Sequence, residues 1–142
     1  MKRFPAFDPP EYVAWQPDPA LSRAYRRTIE DHPDRAALVA KLSRDDRRAL
    51  YAGLLRTRVH DIALKRWVRP GVISKAWLGT GEEATTVGPV HALQRGTDIV
   101  APMIRNAGAV LEMGIPVAAA LRAYLATADS PSRGRDLHVG DL

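Results

Sequence analysis

Arg105 and Asn106 are the side chains with the clearest chemical prospects in this sequence, a guanidinium and a carboxamide closing an apolar run. The run Asp98-Ile99-Val100-Ala101-Pro102-Met103-Ile104 reads as a short, mostly buried strand over 98–104. Pro102 cannot donate to a ladder, so the strand belongs at an edge or a bulge. Asn106 offers a side-chain oxygen to cap a helix that the spacing extends to about Met113. Ligands of open α/β sheets gather at strand C-termini, and helix N-termini favour anions. A guanidinium at that junction is placed to make charge-assisted bonds to a phosphate. The bland alternative is a surface arginine in a loop.

Other candidates are weaker. Glu82 and Glu83 suit the positive end of a helix better than a general acid/base pair. Gly79-x-Gly81 is too short for a dinucleotide fingerprint, because the third glycine and the following acid are missing. His32, His60 and His91 lack metal-ligand spacing and read as structural. Trp67 and Trp77 read as core or interface aromatics. With no cysteine, neither disulfides nor thiolate ligands are available.

A chain of 142 residues with 46% apolar content suits one globular domain with a real core. No run of signal-peptide or membrane-spanning length occurs, so a soluble cytoplasmic protein is expected. Residues 1–71 carry 15 Lys/Arg against 9 Asp/Glu, whereas residues 72–142 carry 6 against 7. The basic residues of the first half are interspersed with Asp45, Asp46 and Asp61 and lack an aromatic strip. A solvated helix face, or one meeting an acidic partner, accounts for them better than nucleic acid does.

The elements that must position these groups are mostly helical. Residues 1–42 read as a proline-rich arm with short helices, its extended part carrying Phe4, Phe7, Tyr12 and Trp15 between prolines. Short helices are expected over 20–30 and 33–42, broken at Asp31-His32-Pro33-Asp34. Ser43-Arg44-Asp45-Asp46 resembles a capping box with Asp for Glu. It opens a long helix to about Trp67, with Leu50, Leu54, Leu55, Val59, Ile62 and Ala63 as its buried face and Arg47, Arg48, Arg56 and Arg58 as its polar face. Pro70-Gly71 stops it. An extended segment over 72–78 precedes a helix over 82–93 that Pro89 should kink. Gly114 suits a left-handed C-cap, Pro116 the first turn of a helix over 117–125, and 129–142 a loop.

Four segments in register resemble a known family. Leu78-Gly79-Thr80-Gly81-Glu82-Glu83-Ala84-Thr85-Thr86-Val87-Gly88 is similar to the Gly-(Gln/Glu)-Glu-Ala-x-x-Val-Gly helix start of thiamine-diphosphate-dependent 2-oxo acid dehydrogenase alpha subunits. Asp98-Ile99-Val100, Ile104-Arg105-Asn106-Ala107-Gly108 and Arg133-Gly134-Arg135-Asp136-Leu137-His138 follow in the family's order. The resemblance covers about residues 43–142 and leans toward the branched-chain members.

The resemblance implies an α/β thiamine-diphosphate-binding fold, of which this portion is mostly α-helical with one or two short strands. It implies oxidative decarboxylation of a 2-oxo acid and acyl transfer to a lipoyl group. The beta subunit of the same component and the lipoyl-bearing acyltransferase core would be the partners. Ile104, Arg105 and Asn106 would line the thiamine diphosphate site; Lys75, Leu137 and His138 would meet substrate, with His138 in the catalytic loop. Departures accompany the matches: Ile104 stands where the family has a tyrosine donor, and Lys75 where it has an aromatic pocket residue. The family's Gly-Asp-Gly…Asn magnesium motif would fall beyond the last loop, so no metal ligand is assigned here. An incomplete alpha subunit, inactive alone, is therefore expected. The competing expectations are a noncatalytic helical interaction module and a basic helical nucleic-acid binder.

Overall fold

The structure, a computed structural model, describes residues 18–135. The aromatic arm before Asp18, and Leu137 and His138, lie outside the described residues. The chain divides after Arg48 into two compact units.

The first unit is built by local rules. Helix α1 (Pro19–Glu30) starts where Asp18 accepts from the N–H groups of Ala20 and Leu21 at 2.8 and 3.3 Å, with Pro19 in the first turn. Helix α2 (Pro33–Ala40) begins at the expected proline break and packs on α1. Neither buries a residue. Helix α3 (Arg44–Val68) opens with the reciprocal box anticipated from sequence. Asp46 N–H donates to Ser43 Oγ at 3.1 Å, and Ser43 N–H donates back to Asp46 Oδ2 at 2.8 Å.

From Ala49 onward α3 belongs to the second unit, with α4 (Glu83–His91), α5 (Ala107–Glu112) and α6 (Val117–Tyr124). Pro70 and Gly71 (φ +77°) end α3 as expected. Gly114, at φ +107°, caps α5 in the left-handed region, and Pro116 is the N-cap of α6. Helix α4 packs on α5 and α5 on α6. Leu64, Ile73 and Tyr124 form the apolar core, walled by Trp67, Val68, Ala76, Leu78 and Leu121.

Two expectations are corrected. Helix α3 does not bury its leucine-rich face: the buried residues are Gly53, Thr57, His60, Asp61, Leu64 and Lys65, while Tyr51, Leu55 and Val59 are exposed. The inner stripe is polar because its groups find partners inside. Thr57 Oγ1 donates to Gly53 O at 3.0 Å, and Asp61 accepts from Thr80 Oγ1 at 3.0 Å. The second correction concerns 98–104. The described residues contain no strand, and this segment runs through 98–103 without helix, turn or bend and without a ladder partner. Nor is it mostly buried: Asp98, Ile99, Ala101 and Met103 are exposed and Val100, Pro102 and Ile104 half-buried, because a buried strand needs a second strand to pair with.

Close approach to α3 depends on two glycines. A Cβ on Gly53 would lie 2.6 Å from Glu112 Oε2 and 2.8 Å from Val87 Cγ1, and one on Gly108 would lie 2.6 Å from Thr57 Oγ1. Gly53→Ala and Gly108→Ala should each destabilise the fold by about 1–3 kcal/mol through overpacking, despite alanine's better helix propensity. Thermal melts of the two variants check this, and a raised melting temperature for either would contradict the packing.

Candidate functional site

The anticipated cofactor residues gather at one place. Ile104 and Arg105 form a turn before α5, and Asn106 is the residue at its N-cap position. The Asn106 side chain does not cap the helix. Its Nδ2 instead donates to Glu82 Oε2 at 3.1 Å and to Thr86 Oγ1 at 3.2 Å. Arg105 Nε donates to the same Glu82 oxygen at 3.0 Å, with both side chains about two-fifths exposed. Glu82 is the residue at the N-cap position of α4, so the cluster ties the starts of α4 and α5 together. Ile104 is half-buried and brings no polar group.

Beside this cluster opens a cleft of about 440 Å³. Glu82, Thr85, Thr86 and Asn106 give it a polar end; Val90, Val100 and Pro102 contribute to its apolar end. A ligand with one charged and one flat apolar part matches such a lining. Lys75 is not among the lining residues; its ammonium sits 5.6 Å from the centre of the Trp77 ring. Arg133 and Arg135, from the last matching segment, are exposed.

Sequence reading missed Glu82 as a partner of Arg105, and missed Thr85 and Thr86. The i,i+4 spacing of Glu82 and Thr86, which puts both on one side of a helix start, was the available signal. Among the described residues no group of three or more His, Asp or Glu converges as a metal site. No helix among them is long and apolar enough to cross a membrane.

A second polar group is sealed inside. His60 is 1% exposed, its Nδ1 lies 3.4 Å from Asp61 Oδ1, and its Nε2 has no hydrogen-bond partner. The Tyr124 ring stands 6.3 Å away, and its hydroxyl donates to Trp77 O at 3.3 Å. Burial raises the Tyr124 phenol above its ordinary value, the hydrogen bond to Trp77 opposes this, and Asp61 adds to it.

No protein-family model matches the chain, and no solved structure matches it.

The hydrogen bond from Arg105 holds the Glu82 carboxyl below its ordinary value, the bond from Asn106 acts in the same direction, and slight desolvation opposes both. A depressed carboxylate contributes stability above its unfolded value and loses it as pH falls through the folded one. Carbon-detected NMR titration should therefore place the Glu82 midpoint below the ordinary glutamate range. Arg105→Ala should move it upward, and an unmoved midpoint would mean that the pair does not form in solution.

Proposed function

We propose that this chain is the N-terminal part of a thiamine-diphosphate-dependent 2-oxo acid dehydrogenase alpha subunit, and that the cleft beside Arg105 is its cofactor-diphosphate site. One observation carries the reading. Two segments that the resemblance aligns along the sequence, the Glu82-Glu83-Ala84 helix start and Ile104-Arg105-Asn106, meet in space at one polar cluster beside a cleft.

The residues fit an anionic group in part. Asn106 supplies a donor in the cleft wall, Arg105 a second one beside it though it does not itself line the cleft, and Val90, Val100 and Pro102 supply an apolar wall. Ile104 supplies no donor, and Glu82 already engages both donors. Arg105 and Asn106 would hold the diphosphate once Glu82 turns away. When bound, the cofactor supplies the stabilisation of negative charge that decarboxylation requires; the chain's part is to bind and orient it. A beta subunit and a lipoyl-bearing acyltransferase are the partners that this reading brings with it.

The exposed face of α3, with Tyr51, Leu55 and Val59 at i, i+4 and i+8, favours a second reading as a docking module. The two are compatible, since an alpha subunit must pack against a partner.

Calorimetric titration of thiamine diphosphate with magnesium into the chain tests the first reading. Arg105→Ala should weaken binding roughly ten- to a hundred-and-fifty-fold, the loss of one charge-assisted contact of about 1.5–3 kcal/mol. Arg105→Lys should recover part of it, because the ammonium keeps charge but loses the planar fork. Glu82→Gln should tighten binding, and Leu55→Ala, on the outer face of α3, should leave it unchanged. Equal affinities for the wild type and Arg105→Ala would remove the reading.

A further inference from the structure

Helix α3 carries a second stripe, opposite its buried one. Arg44, Arg48, Tyr51, Leu55, Val59, Ile62 and Arg66 follow one another at spacings of four, three and four residues, twice over. Such a repeat averages about 3.67 residues per turn, so on a helix of about 3.6 all seven stay on one face. Ile62 is half-buried and the other six are exposed, Tyr51, Leu55 and Val59 by half or more.

The stripe runs base, base, four apolar residues, base. None of the acids of α3, Asp45, Asp46 and Asp61, falls on it. Arg44 and Arg48 are exposed and meet no acid among the described residues. Contiguous exposed apolar side chains mark a surface that something covers, and charge selects what.

A second copy of the chain does not fit in either sense. An antiparallel pair centred on Leu55 sets Arg44 opposite the second copy's Arg66, at matching positions of the two stripes. A parallel pair sets Arg44 beside Arg44 and Arg48 beside Arg48, and like charges so placed repel. A bilayer suits basic residues along the borders of an apolar stripe, from which they reach the headgroups; here they stand in line with it.

We propose that this face of α3 docks a helix of a partner protein, apolar through the middle of its own stripe and carrying Asp or Glu at the end that meets Arg44 and Arg48. The two helices lie side by side over about six turns, or about 33 Å. Tyr51, Leu55, Val59 and Ile62 supply the apolar contact, and the two arginines fix the register and the direction of the partner. The inference rests on the docking reading of this face and is independent of the cofactor reading.

The probe is a library of displayed helices in which one stripe is randomised among apolar, acidic, basic and amide residues. Selection against the whole chain should enrich helices that are apolar in the middle of the stripe and acidic at one end. A synthetic copy of an enriched helix, titrated by calorimetry, should bind Arg44→Glu with Arg48→Glu roughly tenfold or more weakly. Exchanging the acids of that helix for lysine should restore its affinity for the double variant. Leu55→Asp should abolish binding, and Arg23→Glu, the same change of charge on α1, should leave it unaltered. Enriched helices that are neutral or basic at both ends, or an affinity indifferent to the exchange, would overturn the acidic partner and leave the docking reading standing. A dimer in sedimentation, or flotation with phosphatidylserine vesicles, that Leu55→Asp abolishes would give the face to another occupant and overturn the proposal. Failure to enrich any helix overturns it too, and takes the docking reading with it when neither of those contacts forms. Should the double variant fail to fold, replacing the acids of the synthetic helix by their amides decides, and an unchanged affinity would count against the proposal.

Discussion

Two buried carboxylates, Glu83 and Glu112, fix the arrangement of the second unit through the cations they require. Glu83 is 8% exposed and Glu112 7%. Leaving a buried carboxylate without its partner is worth about 3–5 kcal/mol of instability, comparable to the loss of a large core side chain. Arg58 Nε donates to Glu83 Oε1, and Glu83 Oε2 accepts from Gly81 N–H at 2.9 Å. Glu112 accepts from His91 Nδ1 at 2.7 Å, and Arg56 lies 3.7 Å from its other oxygen. Arg56 and Arg58 stand two residues apart on α3, so they project about 200° apart around its axis. One therefore flanks each side of the buried stripe, and only one rotation of α3 lets both reach inward. Gly53 and Gly108 then permit the approach that those short bonds demand.

That constraint explains which parts of the fold were legible. Helix starts were, because capping is local: Asp18 with Pro19, and Ser43 with Asp46, satisfy groups within four residues. The stop at Pro70-Gly71 and the turn at Gly114 are local as well. The rotation of α3 was not. Hydrophobic periodicity selects Leu50, Leu54, Leu55, Val59, Ile62 and Ala63, yet the partners that make Asp61 tolerable inside, and that draw Arg56 and Arg58 inward, lie 19 or more positions away in sequence. A pattern that counts only apolar residues assigns those polar positions to solvent. The cost of satisfying them is an outer face where Tyr51, Leu55 and Val59 remain exposed.

The segment over 98–104 escapes sequence reading for the same reason. Its apolar run reads as a short, mostly buried strand, yet Ile99 is 92% and Met103 60% exposed. Its pairing was not legible, because a ladder is a property of two segments and the described residues supply one. At the candidate site, Arg105 was legible as a charge at the junction before α5. The residue that answers it, Glu82, was not, since 23 positions separate them. Asn106 was read as a cap, but its amide reaches across to α4 because Glu82 and Thr86 offer two oxygens there.

Magnitudes decide what the Arg105–Glu82 pair means for an incoming anion. Both side chains are about two-fifths exposed, and a bridge of that kind is worth about 0–1 kcal/mol. A charge-assisted contact from Arg105 to diphosphate is worth about 1.5–3 kcal/mol, so the guanidinium can exchange partners. The carboxylate cannot remain where it is, because it would stand against the arriving negative charge in the same few ångströms. Glu82 has a route away: it sits at the N-cap position of α4, and its side chain is about two-fifths exposed. Thr86 can still hold the Asn106 amide after the exchange, keeping one donor group aimed at the cleft. If the cofactor reading holds, Glu82 would be a weak internal competitor whose displacement costs little. On the cofactor reading it lowers affinity for the diphosphate without closing the site.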